Sequence, residues 1–375
     1  MIYKPFQDIS LSTLGMGNMR LPTLSDGPDA PIDKEKAAAI IDYAMQNGIN
    51  YFDTAYPYHG GQSEKFLGEA LVGRYPRDSF YLASKYFVLA KADYRAMFQE
   101  QLERLQTDHI DFYLIHGIFD HTYQMYLDNG CIDYFLEQKR LGKIRYLGFS
   151  SHASVENLTS FADHHAWDFA QIQMNYYDWM TADTAKEYQV LADRNIPVVV
   201  MEPCRGGKLA SLCPEADAVL KAAHPDWSIA SWAFRWVKRH PAVQVVLSGM
   251  TTMEQIIDNT AVFSEAGALS DTDMKILDKA CEIFETTIKV PCTGCAYCTE
   301  NCPMKIDIPG VMQVYNSYKL DGPRGLEGLS QLKSAAGPKE CIGCGACSAR
   351  CPQSIAIPEI MAELAEAQKA MPPRP

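Results

Sequence analysis

The stretch Cys292-Thr293-Gly294-Cys295-Ala296-Tyr297-Cys298-Thr299-Glu300-Asn301-Cys302-Pro303 decides how this chain divides, because its cysteine spacing occurs a second time further along. The second copy consists of Cys341, Cys344, Cys347, Cys351 and Pro352. Each copy offers four thiolates separated by two, two and three residues, with proline after the fourth, which is the ligand pattern of [4Fe–4S] clusters. In paired copies of this kind the fourth cysteine binds the cluster of the other copy. The pattern therefore predicts two clusters, one on Cys292, Cys295, Cys298 and Cys351 and one on Cys341, Cys344, Cys347 and Cys302.

Paired cysteines also occur in zinc sites and in disulfide frameworks. A zinc site needs four ligands, and it gives no reason for a third evenly spaced cysteine and a terminal Cys-Pro in both copies. The segment resembles bacterial two-cluster ferredoxins. This resemblance implies that residues 286–375 form a small α+β ferredoxin-like iron–sulfur domain.

Length and charge narrow the class of protein. The chain has 375 residues, enough for about two domains. Its 34 basic and 46 acidic residues give a net charge of −12, which repels phosphate backbones and predicts no nucleic-acid partner. The N-terminal segment lacks a signal-peptide pattern, and no run of about 18 apolar residues occurs. Free thiols and clusters persist in reducing compartments, so the sequence predicts a cytoplasmic protein without membrane segments.

Residues 1–285 alternate short apolar runs with longer helical patterns, as βαβ units do. The eight candidate strands are residues 11–18, 48–54, 79–85, 110–116, 144–150, 169–175, 197–203 and 243–249. Eight strands, each followed by a helix, predict a closed (β/α)8 TIM barrel with its chemistry at the C-terminal strand ends. Residues 1–10 are expected to form a hairpin at the opposite end of this barrel domain.

Four polar side chains follow the ends of the second, third and fourth strands: Asp53, Tyr58, Lys85 and His116. A phenol titrates near pH 10, so a tyrosine that serves as a general acid needs a neighbouring cation such as Lys85. Asp53 would be the counter-ion of that lysine, and His116 would orient the reacting oxygen. Each residue could instead serve the fold alone, as a core histidine or as part of an ion pair. Their joint placement at one end of the barrel favours catalysis.

Residues 2–285 resemble the aldo-keto reductases. The matching segments are 14–22, 52–68, 111–116, 142–150 and 171–176. The resemblance implies that Tyr58 donates a proton, that Lys85 and Asp53 activate it, and that His116 orients a small-molecule carbonyl or alcohol substrate. It also implies NADP(H) or NAD(H) across the barrel mouth, with contacts from Gly17, Asn18, Met19, Ser150, Gln171 and Asn259.

Two positions depart from the family pattern. Met201 stands at the end of strand seven, where the family commonly stacks an aromatic ring on the nicotinamide. Gly249, Met250 and Gln255 stand where NADPH-preferring members carry cations. A 2′-phosphate without a cation loses charge-assisted hydrogen bonds, so the sequence predicts no strong preference for NADPH.

The two halves together predict an oxidoreductase that interconverts a carbonyl and an alcohol, with clusters that exchange electrons with a redox partner protein. One-electron clusters do not readily exchange with a two-electron hydride carrier, so this coupling requires a flavin or else the clusters are structural. The alternative is a flavin- or ferredoxin-linked electron-transfer reductase whose barrel performs no simple carbonyl reduction. A third hypothesis is a redox sensor without catalysis, against which the complete set of four polar residues argues.

Overall fold

The computed structural model describes residues 1–25 and 30–369. The chain forms two compact units. The barrel unit comprises residues 1–24, 31–204 and 230–270. The C-terminal unit includes residues 205–229 together with the chain from residue 271 onward. The second unit thus takes a segment from the middle of the sequence, which follows the seventh barrel strand.

All eight predicted barrel strands are present, and they close into one parallel barrel in chain order, with the last strand beside the first. The barrel strands are β3 (Leu14–Gly17), β4 (Tyr51–Asp53), β5 (Tyr81–Tyr86), β6 (Ile110–Ile118), β7 (Ile144–Ser151), β8 (Phe169–Gln173), β9 (Val198–Met201) and β10 (Val243–Ser248). Strands covered on both faces read as continuous apolar runs, and every residue of β6 is buried accordingly. The predicted TIM barrel is therefore confirmed.

The barrel unit contains nine whole α-helices and all but the first residue of a tenth, and most of them connect one strand to the next. These are α1 (Lys34–Gln46), α2 (Gln62–Leu67), α3 (Tyr94–Leu105), α4 (Tyr123–Asp128), α5 (Cys131–Arg140), α6 (Val155–His164), α7 (Tyr176–Thr181), α8 (Thr184–Asp193), α10 (Ile229–Val237, apart from its first residue) and α11 (Met253–Ser264). Side-chain caps start several of them, since the first amides of a helix lack partners within it. The Asp33 carboxylate accepts a hydrogen bond from the Lys36 amide at 3.1 Å, and Asp93 accepts one from the Ala96 amide at 3.0 Å.

A hairpin precedes the barrel, as predicted. Its strands β1 (Tyr3–Phe6) and β2 (Ile9–Ser12) pair antiparallel. Phe6 packs edge-on against Tyr146 with ring centroids 5.0 Å apart, and it lies 5.4 Å from Phe112. Phe112 and Tyr146 belong to the inner apolar cluster of the strands. The hairpin therefore contributes the Phe6 side chain to the interior of the barrel. There Phe6 packs against residues that lie before the C-terminal ends of their strands.

The C-terminal unit has its own apolar core. Its helices are α9 (Pro214–Ala223), α12 (Asp271–Glu285), α13 (Tyr297–Glu300), α14 (Ile308–Asp321) and α15 (Ile357–Lys369). The cysteine segments surround a cluster in which Val311, Met312 and Leu364 are fully buried. The described residues 286–369 contain helices and turns and no strand, so the β component expected of the small iron–sulfur domain is not seen there. Gly294, Gly343 and Gly345 have positive φ values of 71°, 68° and 74°. These left-handed conformations turn the backbone of the cysteine segments, which therefore form loops and not paired strands.

Within the described parts of the chain, no helix combines the length and the apolar character that crossing a membrane requires.

Candidate active site and cysteine cavities

A buried ion pair lies at the C-terminal end of the barrel strands. Asp53 is the last residue of β4, and Lys85 lies near the end of the neighbouring strand β5. The Lys85 Nζ atom lies 2.5 Å from Asp53 Oδ1 and donates a second hydrogen bond to the Thr54 carbonyl oxygen at 2.7 Å. The Lys85 side chain is 0% exposed, so the pair is formed out of contact with bulk water. The ammonium is thereby fixed in position by one charge and one backbone dipole.

Tyr58 and His116 complete the predicted group of four. Tyr58 begins the short 3-10 turn Tyr58–Gly61 after β4, and its ring centroid lies 5.2 Å from Lys85 Nζ. The rings of Tyr58 and His116 lie 6.1 Å apart between centroids and are nearly perpendicular at 83°. Loops and strands that are far apart in sequence therefore bring a phenol, an ammonium and an imidazole together.

Burial sets the protonation behaviour of these groups. It lowers the pKa of the His116 imidazole well below 6.5, and the nearby Lys85 charge acts in the same direction. Burial raises the pKa of the Asp53 carboxyl and lowers that of the Lys85 ammonium, while the attraction between the two charges opposes both shifts. His116 is consequently a neutral ring at neutral pH and can donate or accept a hydrogen bond without carrying charge.

The surroundings of His116 were not predicted. Phe87, one residue beyond β5, lies 5.1 Å from the His116 ring between centroids, and Tyr126 donates a hydrogen bond to the His116 backbone carbonyl at 2.5 Å. His152, just after β7, contributes to the electrostatic environment of His116. His116 Nδ1 is buried and has no hydrogen-bond partner among the residues that the structure describes. Phe87 and His152 each follow a strand end, which is the signal that could have identified them.

The predicted cofactor residues on β3, β7 and β8 lie at the same end of the barrel. The side-chain Nδ2 atom of Asn18 donates a hydrogen bond to the backbone carbonyl oxygen of Asp53 at 2.9 Å. Met19 follows in the same turn, Asn18–Arg20. Ser150 and Gln171 are paired in register on neighbouring strands. Gly117 donates its amide to Ser150 Oγ at 2.8 Å, whereas Gln171 Oε1 is buried without a hydrogen-bond partner in the described chain.

Gly249 and Gln255, which stand where cations were sought, follow the end of the eighth barrel strand. The Gln255 side chain accepts a hydrogen bond from the Thr251 backbone amide at 2.7 Å and completes the capping box of α11. The Gln255 side chain is therefore engaged in capping the helix. Asn259 donates to Ser248 Oγ at 3.0 Å. A Cβ atom on Gly249 would lie 3.2 Å from Cβ of Arg20, whose aliphatic chain therefore runs beside this glycine.

The remaining predicted cofactor contacts are Gly17, at the end of β3, and Met201, at the end of β9. Gly17 can contribute only backbone atoms, and Met201 offers a thioether side chain. Gly17 pairs in register with Asp53. Met201 is the last residue of β9, and its carbonyl oxygen accepts the Met174 amide at 3.1 Å. The backbone of Met201 is thus held by the neighbouring strand, and the half-buried Met201 side chain is the group left for contact at the barrel mouth.

The eight motif cysteines of the C-terminal unit line two cavities. The first cavity is lined by Cys292, Cys295, Cys298 and Cys351 together with apolar side chains including Ile308 and Met312. The second is lined by Cys302, Cys341, Cys344 and Cys347, again with apolar neighbours. Each cavity thus gathers three cysteines of one motif and the fourth cysteine of the other.

Burial raises the pKa of the Cys298 and Cys347 thiols. Neighbouring cysteines of the same set act in the same direction, Cys295 and Cys292 on Cys298 and Cys341 and Cys344 on Cys347. Burial raises the pKa of the Cys292 thiol, while the Gly294 amide donates to its sulfur at 3.4 Å and opposes that shift.

Two family models match separate stretches of the chain. Residues 13–282 match the family model described as "Aldo/keto reductase family". Residues 291–356 match the model described as "4Fe-4S dicluster domain".

Individual relatives match about three quarters of the chain. The uncharacterized oxidoreductase YqkF of Bacillus subtilis (strain 168) is 27% identical over 311 residues, covering 72% of this chain and 92% of that protein. Methylglyoxal reductase YeaE of Escherichia coli (strain K12) is 27% identical over 282 residues, covering 73% and 92%. The holo form of aldo-keto reductase AKR11C1 from Bacillus halodurans superimposes with a TM-score of 0.60 at 27% identity, covering 75% of this chain and 96% of that one.

The barrel, the converging polar side chains at its C-terminal face and these likenesses agree. The chain belongs to the aldo/keto reductase family, as an NAD(P)H-dependent oxidoreductase that carries an iron–sulfur domain of the 4Fe-4S dicluster type after its barrel.

Proposed function

We propose that this protein interconverts a small-molecule carbonyl and its alcohol at Tyr58. We further propose that two [4Fe–4S] clusters in the C-terminal segment exchange single electrons with a redox partner protein, and that a flavin couples them to the two-electron chemistry of the barrel. The observation that carries the proposal is the placement of Lys85 Nζ, 2.5 Å from the Asp53 carboxylate and 5.2 Å from the Tyr58 ring. A buried cation beside a phenol stabilises the phenolate that remains after proton donation.

In the reductive direction, Tyr58 donates its hydroxyl proton to the carbonyl oxygen of the substrate. Lys85 stabilises the resulting negative charge, and Asp53 with the Thr54 carbonyl keeps the ammonium in place. The neutral His116 ring orients the same oxygen by a hydrogen bond without competing as a cation. The nicotinamide cofactor, when bound, supplies the hydride.

The polar groups at the barrel mouth suit a nicotinamide carboxamide. Gln171 Oε1 is a buried acceptor that lacks a partner in the described residues, and a carboxamide N–H would satisfy it. Ser150 lies beside it in the β7–β8 register. We assign the remaining contacts to Gly17, Asn18, Met19, Met201 and Asn259.

The donor set of the C-terminal cavities suits iron–sulfur clusters. Four cysteines around each cavity match the ligand count of a [4Fe–4S] cluster, and the exchange of the fourth cysteine between motifs matches the predicted ligand sets. Cys292, Cys295, Cys298 and Cys351 would hold the first cluster, and Cys302, Cys341, Cys344 and Cys347 the second. We place the functional boundary between the barrel domain, residues 1–285, and the ferredoxin-type domain, residues 286–375.

The proposal includes a small carbonyl as the substrate class and a redox protein as the source or acceptor of single electrons. The methylglyoxal reductase among the relatives makes methylglyoxal the first probe. The expected spectrum of anaerobically purified protein has a broad cluster band, and iron analysis should give about eight irons and eight sulfides per chain.

Stopped-flow mixing of the same preparation with NADH or NADPH and methylglyoxal should show oxidation of the nicotinamide that depends on the carbonyl. Four irons or stoichiometric zinc would contradict the two-cluster assignment. Additional flavin bands with no carbonyl-dependent oxidation would instead favour the electron-transfer reductase.

A further inference from the structure

A second buried carboxylate lies close to the strand that carries Lys85, outside the group of four. Glu64 belongs to α2, and its side chain is 0% exposed. Its Oε1 atom accepts hydrogen bonds from Ser84 Oγ at 2.6 Å and from Gln101 Nε2 at 2.7 Å. Its Oε2 atom accepts one from the Arg104 guanidinium at 3.1 Å. Both oxygens act only as acceptors, as those of an ionised carboxylate do.

Gln101 connects this carboxylate to the backbone of Lys85. The side-chain nitrogen of Gln101, on α3, also donates hydrogen bonds to Ser84 Oγ at 2.9 Å and to the Lys85 carbonyl oxygen at 3.0 Å. Its Oε1 atom accepts a hydrogen bond from the Tyr113 hydroxyl at 2.6 Å. A donor at Tyr113 and an acceptor at Glu64 fix which way the Gln101 amide faces. The amide nitrogen is thereby directed at the Lys85 carbonyl oxygen.

The Glu64 carboxylate lies on the opposite face of β5 from the Lys85 ammonium. Ser84 and Lys85 are consecutive residues of this strand, so their side chains point to opposite faces. The Lys85 ammonium contacts the Asp53 carboxylate, whereas the Ser84 hydroxyl contacts side chains of α2 and α3. Any effect of Glu64 on the reaction must therefore pass through the strand and Lys85.

The helix of Glu64 also holds an acceptor of the Lys85 ammonium. The hydroxyls of Ser63 and Thr54 form a hydrogen bond at 2.8 Å, and both residues are 0% exposed. The Thr54 carbonyl oxygen accepts the hydrogen bond from Lys85 Nζ at 2.7 Å. Two consecutive residues of α2 thus hold Thr54 directly and, through Gln101, the backbone of Lys85.

We propose that Glu64 and Gln101 are positioning residues for Lys85. They hold its backbone so that the ammonium lies beside the Asp53 carboxylate and the Tyr58 ring. The lysine side chain is a flexible four-carbon stem, so the place of its charge depends on where the strand sets its backbone. A buried network whose polar groups are satisfied is rigid, which suits this task. The inference rests on the role of Tyr58 in the proposed function.

Glu64→Gln is the first test, because it keeps the size of the side chain and one acceptor oxygen but removes the charge. The measurement is steady-state methylglyoxal reduction by the anaerobic, full-length holoprotein. The value of kcat should fall by about 10- to 100-fold, since a catalytic group displaced by about 1 Å can lose about a hundredfold in rate. KM and nicotinamide binding should stay near the wild-type values, which marks an effect on the transition state.

Gln101→Met is the second variant, and it removes the hydrogen bond to the Lys85 carbonyl oxygen. It should lower kcat in the same way, and it carries the test if Glu64→Gln does not fold. In a Tyr58→Phe background neither substitution should reduce the residual rate further, because Lys85 then has no phenol to assist. A loss by the same factor in both backgrounds would mean that the network serves the fold alone, and would overturn the inference.

Asp111→Asn is the matched control for a buried carboxylate on the same strand. Asp111 is 3% exposed, accepts a hydrogen bond from the Leu82 backbone amide of β5 at 2.9 Å and pairs with Arg77 at 2.6 Å. Its substitution should lower the thermal stability and leave kcat unchanged. Equal losses of kcat in Asp111→Asn and Glu64→Gln, or an unchanged kcat in the folded network variants, would also overturn the inference. Wild-type protein that shows no carbonyl-dependent oxidation of nicotinamide would instead contradict the proposed function.

Discussion

The Lys85 ammonium and the Asp53 carboxylate lie 2.5 Å apart, and their side chains are 0% and 3% exposed. Taking two charges out of water is costly, and the attraction between them offsets that cost only while both partners are present. Removal of one partner leaves an uncompensated buried charge. The pair therefore links the stability of the barrel to the chemistry of Tyr58.

The first prediction concerns this pair. Lys85→Met should lower the free energy of unfolding of the barrel by about 3–5 kcal/mol, because Asp53 is left buried and unpaired. Adding Asp53→Asn should recover much of that stability without recovering carbonyl reduction. Thermal unfolding and turnover of both variants check this. The exposed pair Lys34–Glu69 provides the control, since Lys34→Met should change stability by less than about 1 kcal/mol.

Tyr58→Phe tests the proposed proton donor. The substitution removes one hydroxyl group and leaves the ring beside Lys85, so nicotinamide binding should stay near that of the wild type. The rate of carbonyl reduction should fall by at least about 10²–10⁴-fold, the usual contribution of general acid catalysis. Tyr56→Phe is the matched control, because the Tyr56 hydroxyl donates to Glu100 at 2.8 Å, outside the group of four. Unchanged turnover in Tyr58→Phe would remove this group from the mechanism.

His116 gives a prediction about pH. Its pKa is lowered well below 6.5 by burial, so the ring gains a proton only when the pH falls well below that value. The neutral form thus persists across the neutral range, and stability linked to it declines only as the pH falls below about 6.5. Histidine ring signals in nuclear magnetic resonance should include one, absent from His116→Gln, that does not shift between about pH 8 and pH 6. A midpoint near 6.5 for that signal would contradict the assignment.

Local sequence patterns sufficed for the barrel and for the polar group of four. The runs that form β9 and β10 are rich in valine, and such runs in alternation with helices specify parallel strands. Because parallel strands of a barrel end on one face, Asp53, Lys85 and His116 had to converge there once their strands were identified.

Contacts made by side chains from distant segments could not be read from the sequence. Arg20 lies beside Gly249, and Phe87 lies beside His116, through packing between loops whose paths no local pattern specifies. The β component expected after residue 286 was not found in the described residues, because the glycine turns and cysteine loops there do not pair. Spacing indicated which cysteines line one cavity, but not the hydrogen bond from Arg205 to the Pro291 carbonyl oxygen at 3.0 Å.

Cofactor preference is the next prediction. Gly249, Met250 and Gln255 offer no cation to a 2′-phosphate, and Gln255 is committed to the cap of α11. The dissociation constants of NADPH and NADH should therefore differ by less than about tenfold, since a charged hydrogen bond worth about 1.5–3 kcal/mol is missing. Arg20 is the nearest candidate for any residual preference, so Arg20→Gln should weaken NADPH and leave NADH unchanged. Arg74→Gln, on a surface pair with Asp42, is the control. A hundredfold preference for NADPH that survives Arg20→Gln would contradict this prediction.

The last prediction separates electron delivery from a purely structural role of the clusters. Cys344 is the exposed cysteine of the second set, so Cys344→Ala removes one ligand with little loss of packing. If the clusters deliver electrons, dithionite-reduced variant should pass electrons to methylglyoxal or to an external acceptor more slowly than the wild type, while the barrel stays folded and binds nicotinamide. We expect this outcome. The barrel alone contains the groups that hydride-driven reduction requires, so that reaction gives no reason for the chain to carry eight cysteine ligands. If metal binding serves folding, the variant should mainly lose helical structure of the C-terminal unit and keep its nicotinamide-driven turnover. Circular dichroism, iron content and the two rates, measured on one preparation, decide between these results.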